Sequence, residues 1–205
     1  MKNELSKAER TRQFIIEKTA PVFNTKGYAG TSLADLTEVT GLTKGSIYGN
    51  FENKEEVALA CFDYNLSRIN QAVVAQIAEA TSYYQKLLVY ARFYHSFTRS
   101  SFLDGGCPIL NTATEADDTN NLLKDKAAKA ILGWRKRLTD LIKGGIEVGE
   151  FRQDVVVDQM ALSIIALIEG GIMIAKVTNT PSSLDKVLQT VEMLITHMKV
   201  SQESN

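Results

Sequence analysis

An all-helical fold is what this sequence predicts, and three observations predict it. Apolar residues recur at three- and four-residue spacing along almost the whole chain, the period of helices that bury one face. Alternating runs bounded by turn residues, the signature of half-buried strands, are scarce. Only three prolines occur in 205 residues, so long stretches carry no helix breaker. With 44% apolar residues the chain can bury one large core, or join a small helical module to a larger one.

The first helix is expected from about Lys7 to Lys26, with Ile15, Ile16, Ala20 and Phe23 on one stripe and Gly27 as its stop. Pro21 lies inside it and predicts a kink, because it removes a backbone donor and crowds the preceding turn. Thr31 or Ser32 then caps a short helix ending at Thr40-Gly41, and Asp35 follows Ser32 by three residues, as in a capping box. Thr43 caps a second short helix from Lys44 to about Gly49. Two short helices joined by a glycine-containing turn form a helix-turn-helix pattern. A long helix follows from Lys54 to about Glu79, and further helices fit residues 82–101, 108–116, 120–148, 158–177 and 181–199. Asp104-Gly105-Gly106, Gly149-Glu150 and Asn179-Thr180-Pro181 read as the turns between them. That makes about nine helices.

The formal charge is −1 and the pI about 6.2, so the whole molecule is not a basic coat for nucleic acid. The first 54 residues hold eight Lys and Arg against six Asp and Glu, a local +2 that leaves −3 for the rest. Cys61 and Cys107 are too few for a disulfide framework, and the polar N-terminus resembles no export signal, so a cytoplasmic protein is expected. The longest apolar stretch, 160–177, is interrupted by Glu169 and reads as a buried helix rather than a membrane span. His95 and His197 are isolated, and no HExxH, paired CxxC, GxGxxG or Walker-type loop appears. An enzyme, a metal site or a bound cofactor is therefore not expected.

In the segment 41–51, Leu42, Ile47 and Phe51 suit a small core, which leaves Thr43, Lys44, Ser46 and Tyr48 outward. A recognition helix presents its N-terminal side chains to base edges, so Thr43, Lys44 and Ser46 are the expected groove contacts, with Gly45 permitting close backbone approach. Thr31, Ser32, Tyr48 and Lys54 suit phosphate, as hydroxyl donors or cations near helix starts. Spacing alone equally fits two structural helices with solvated lysines.

Thr11-Arg12, Ile15-Ile16, Ala20, Phe23, Gly27-Tyr28, Thr31-Ser32, Asp35-Leu36, the run Gly41 to Tyr48, Phe51 and Lys54-Glu55-Glu56 together resemble the TetR-type repressors. The likeness runs in order and without gaps over some fifty residues, far more specific than a lone motif. It implies a helix-turn-helix DNA-binding domain over 1–55 and a ligand-binding, dimerising domain over 56–205. Asn50 departs from the His or Tyr common before Phe51, and Pro21 from the usual helix former; a DNA contact at Asn50 is carried as an expectation. Double-stranded operator DNA, a small-molecule effector of unread identity and a second copy of the chain are the implied partners, and no membrane is. The alternative is a helical scaffold or partner-binding protein that keeps the fold without operator binding.

In the second domain, Leu184, Leu188, Val191 and Ile195 recur at helical spacing, as do Ile164, Leu167, Ile168 and Gly171. They are the expected dimer interface, although the same stripes fit an intramolecular core. Tyr90, Phe93, Tyr94 and Phe97 cluster on one helix and Trp134 on another; with Cys107, Glu169 and Met173 they are the expected effector pocket, or else an ordinary aromatic core. Cys107, followed by Pro108 at a helix start, also suits a thiol sensor of oxidants or electrophiles, or simple packing.

Overall fold

Ser6 opens the first helix with a reciprocal cap, its hydroxyl accepting from Glu9 N while the Glu9 carboxylate accepts from Ser6 N at 2.7 Å. Nine helices lie among the described residues: α1 Lys7–Gly30, α2 Leu33–Thr40, α3 Lys44–Tyr48, α4 Lys54–Glu79, α5 Tyr83–Phe97, α6 Pro108–Ala116, α7 Asn121–Glu147, α8 Val157–Val177 and α9 Pro181–His197. The computed structural model describes residues 6–97 and 104–200, the side chains of Ser96 and Phe97 excepted. The expected pocket residue Phe97 and the expected last turn of α5 thus lie outside the described side chains and residues. An isolated antiparallel bridge between Phe151 and Lys199 is the sole extended pairing among the described residues.

The helices gather into two compact units, one within residues 1–68 and 103–128 and the other within 69–102 and 129–205. The long helices α4 and α7 contribute to both. In the first unit Ile15, Ala20, Phe23, Leu36, Ile47, Phe51, Val57 and Cys61 form one buried cluster. Burial of Cys61 pushes its thiol up to about 12, a shift that a hydrogen bond with Thr19 opposes.

The kink expected at Pro21 is instead a break at Gly27. Dihedrals remain helical through the proline, where Asn65 of α4 donates to the Ala20 carbonyl at 3.1 Å and Thr25 Oγ1 donates to the Pro21 carbonyl at 2.8 Å. Gly27 has φ 74° and ψ 178°, a conformation essentially reserved for glycine. The turn this creates aims the amides of Tyr28 and Ala29 at Glu115 of α6, whose carboxylate accepts from both at 2.8 Å. Asn24 donates to the carbonyls of Asp104 and Gly106, and Asn111 donates to those of Asn24 and Gly105, so α6 and the turn before it are fastened to α1 by polar contacts.

In the second unit α9 packs against both α8 and α5. The residues of the expected dimer seam turn inward in the single chain. Ile164, Ile168, Gly171, Leu184, Leu188, Val191 and Ile195 are all buried within the single chain, so they have no surface left to offer a partner; Leu167 is half-buried. The close approach that Gly171 permits is to α9 of the same chain, where a Cβ would fall 2.9 Å from Leu184 Cδ1. Hydrophobic periodicity reported burial correctly but could not say which helix did the burying. The large apolar residues that α8 exposes are instead Leu162, Met173, Ile174 and Val177. By length and composition α8 is apolar enough to cross a membrane, but seven of its residues are buried in this packing.

Candidate nucleic-acid interface

The turn between α2 and α3 is built from short-range hydrogen bonds. Gly41 ends α2 in the left-handed conformation, φ 66°, and its N–H donates to Thr37 O at 2.9 Å. The Thr40 hydroxyl donates to Leu36 O and accepts from Leu42 N. Thr43 then caps α3, its Oγ1 accepting from Ser46 N at 3.2 Å, a cap worth about 1 kcal/mol. Ile47 anchors the opposite face with no exposed surface, and its truncation would cost about 2–5 kcal/mol.

What remains outward is the first turn of α3. Thr43, Lys44 and Gly45 are exposed and Ser46 is half-exposed, an arrangement that offers a hydroxyl, an ammonium and a bare stretch of backbone to one surface. Tyr48 and Asn50 are half-buried at its far end, and Asn50 Nδ2 donates to Ser46 O at 2.9 Å, so that amide already closes α3.

Three of the residues expected at phosphate are used internally. Thr31 is 1% exposed and donates to Gly27 O at 2.6 Å. Ser32 caps α2, accepting from Asp35 N and donating to Asp35 Oδ2 at 2.6 Å. Lys54 Nζ donates to the carbonyls of Tyr28 at 2.8 Å and Thr31 at 2.9 Å, and lies 4.3 Å from the centre of the Tyr28 ring. Its ammonium thus holds the exit of α1 against the start of α4. Asp35, the partner in the Ser32 cap, also takes Lys26 at 2.5 Å; that hydrogen bond first, then those from Ser32, holds its carboxyl well below the usual range.

In the sequence Arg12 and Glu56 stand out only within the family resemblance and Glu115 not at all, although each holds the unit together. Arg12 lies 44 residues from its partner Glu56, and Glu115 grips backbone amides 86 and 87 residues away. No periodicity or local motif encodes contacts at that separation.

The expected effector residues divide between the units. Tyr90, Phe93, Tyr94 and Trp134 come together in the second, all buried, with Trp134 stacked on Tyr94 at 5.6 Å and on Tyr90 at 6.1 Å, and Phe93 edge-on to Tyr94 at 5.1 Å. The Trp134 indole N–H is buried without an acceptor among the described residues. Glu169 is half-buried and Met173 exposed, so Met173 does not join that buried cluster. Cys107 belongs to the first unit, fully buried at the N-cap of α6, which removes it from direct contact with a dissolved oxidant.

Comparison with known proteins agrees with this reading of α2 and α3. Residues 15–61 match the model of the bacterial regulatory proteins of the tetR family, and residues 84–191 match the tetracyclin repressor-like C-terminal domain. The HTH-type transcriptional repressor DhaR of Mycobacterium sp. (strain GP1) is 27% identical over 196 residues, 94% of this chain and 97% of its own length. A TetR-family regulator from Cytophaga hutchinsonii has a solved structure that is 52% identical, with a TM-score of 0.93 over 98% of this chain and 100% of its own. Another, from Chloroflexus aurantiacus, is 36% identical with a TM-score of 0.90, covering 95% and 98%. With family models matched at both ends and a helix-turn-helix whose second helix exposes its first turn, the chain belongs to the TetR family of helix-turn-helix transcriptional regulators, proteins that bind DNA.

Proposed function

We propose that this regulator is a cytoplasmic repressor that grips a palindromic operator as a homodimer and releases it when a small molecule binds the second unit. The observation that carries the reading is the exposed first turn of α3, where Thr43, Lys44 and Ser46 surround a glycine on a helix anchored from behind by Ile47. Such a turn enters the major groove and reads base edges, with Lys44 and the two hydroxyls as donors.

A second copy is supported by the outer face of α8, where Leu162, Ala166, Met173, Ile174 and Val177 are exposed and follow one helical stripe. Gly170 lies in the same stripe, and a Cβ there would meet nothing within 4 Å in the single chain. An effector is supported by the closed aromatic cluster of α5 and α7. The Trp134 N–H it buries would be satisfied by an acceptor atom on a bound molecule, and burial pushes the phenol of Tyr90 up beside it. Because α4 belongs partly to each unit, binding in the second shifts the helix whose first turn holds α1 through Lys54.

The test begins with selection of bound duplexes from a random pool at physiological salt. The wild-type chain is expected to enrich one sequence with two-fold symmetry, and Lys44→Ala to lose about 1–3 kcal/mol on it. Recovery of no preferred duplex would reject the proposal in favour of a scaffold. Compounds that release the duplex must bind more weakly to the DNA complex by the same factor. Equal affinity with and without DNA would reject the release mechanism.

A further inference from the structure

Arg12 stands near the start of α1, outside both helices of the helix-turn-helix, in a stretch where a surface cation would ordinarily be read as a phosphate contact. Its guanidinium is already engaged on three sides. Nη1 donates to the carbonyl of Asn50, the residue that closes α3. Nη2 donates to Glu56 Oε1 at 2.6 Å in the first turn of α4. The plane of the group covers Phe51, with the central carbon 4.0 Å from the ring centre.

Each partner is itself fixed. Asn50 N and Phe51 N both donate to Ile47 O, so the carbonyl that Arg12 holds continues directly from α3. Glu56 Oε2 accepts from Glu52 N at 2.7 Å, and those two hydrogen bonds hold the Glu56 carboxyl below its usual range. The Glu56 amide in turn donates to Asn53 Oδ1 at 2.9 Å. One planar fork thus ties α1, the end of α3 and the start of α4 at a single point.

We infer that Arg12 is a positioning residue for operator recognition, setting the angle at which α3 meets the groove through Asn50 and Glu56, and that it is not a phosphate contact. The inference rests on α3 being the reading helix. Two features make the assignment specific to Arg. A carbonyl and a carboxylate are held at once by different nitrogens of one rigid plane, whose fixed spread a single ammonium nitrogen does not share, and the central carbon of that plane also lies over an aromatic ring. Discrimination between bases needs α3 to sit in one register, whereas attraction to phosphates tolerates many.

Full-length wild type and the variants Arg12→Met, Arg12→Lys and Glu56→Gln are titrated by fluorescence anisotropy at several salt concentrations. The probes are the duplex that the wild type selects from a random pool, and a scrambled duplex. Arg12→Met is expected to lose about tenfold or more on the selected duplex while holding the scrambled one within about twofold, with the salt slope unchanged. Arg12→Lys falls between, since it keeps the charge but not the fork. Glu56→Gln is the decisive variant, because removing a negative charge near DNA would tighten binding through electrostatics alone, whereas loss of the fork loosens it on the selected duplex only. A general loss of folded protein would scale both duplexes equally and leave their ratio intact.

Equal weakening on both duplexes by Arg12→Met, with the slope reduced by roughly 0.9, would make Arg12 a phosphate contact and overturn the inference. An unchanged or tightened selected complex in Glu56→Gln would overturn it as well, even if Arg12→Met failed to fold. A wild type that selects no duplex would defeat the reading of α3 itself, a failure distinguishable from the other two.

Discussion

A Cβ built on Gly45 would meet nothing nearer than the Thr43 hydroxyl at 4.0 Å, and the residue lies in ordinary right-handed helix. The protein therefore has no internal need for glycine there, where alanine would be favoured by up to about 1 kcal/mol of helix propensity. Gly45→Ala is expected to melt at the same temperature or slightly higher, yet to bind its selected duplex at least about tenfold more weakly, because the new methyl meets the DNA. Unchanged affinity by anisotropy would remove α3 from intimate contact. Gly27 is the opposite case. Its backbone is one that a side chain strains by about 1–3 kcal/mol, and a Cβ would lie 2.4 Å from Glu115 Oε2. Gly27→Ala should lower the melting temperature by roughly 4–10 °C, and should loosen α6 from α1, since the methyl displaces the carboxylate that accepts from Tyr28 and Ala29. In the sequence Gly27 reads as a helix stop and Gly45 as room for close backbone approach. Only coordinates separate the one that the fold requires from the one that it leaves free, because that difference lies in what surrounds the missing methyl.

The start of α2 shows what is legible at the scale of an element. Ser32 and Asp35 are three residues apart, so the cap could be read directly, as could the Thr43 cap of α3 and the extents of α4 and α6. These signals are local, because at the start of α2 and of α3 a hydroxyl three residues away satisfies an amide of the first turn. Contacts that join helices carry no such signal: the Lys26 to Asp35 pair, the Lys54 clamp and the Glu115 grip bring together charges and backbone atoms that no spacing rule connects. The α2 cap also carries a pH signature. Asp35 is depressed when folded, so its contribution is present above its unfolded value near pH 4 and disappears as the pH falls through the lower folded value. Denaturation of the wild type and Asp35→Asn should therefore give curves of stability against pH that lie apart from about pH 5 upward and draw together below about pH 3. A gap of the same size at pH 7 and pH 2.5 would show that the carboxylate's charge contributes nothing to the cap.

For the whole molecule, the apolar stripes of α8 and α9 predicted that something would be buried, and they were right about burial and silent about the partner. Leu188 and Ile195 face into the chain, while Leu162, Ala166, Ile174 and Val177 face out of it. The two sets make opposite predictions. A charge at an inner position, as in Leu188→Glu, leaves an unpaired carboxylate among buried apolar groups and should abolish cooperative folding. A charge at an outer position, as in Ala166→Glu, is exposed to solvent in the single chain, so helix content and melting of the isolated protomer should persist. If two copies meet across α8, that substitution sets two carboxylates against an apolar surface near the dimer axis, and sedimentation should show a monomer at micromolar concentration. The DNA consequence follows from geometry. Two reading heads about 34 Å apart engage successive major grooves, and the second engages at the high effective concentration that the dimer supplies. Ala166→Glu should accordingly lose about a hundredfold or more on a two-half-site duplex, but bind a single half-site like the wild type, although its substitution lies in a different compact unit from α3. A dimer that survives Ala166→Glu would place the partner on another face, and the exposed α8 stripe would then need a different occupant.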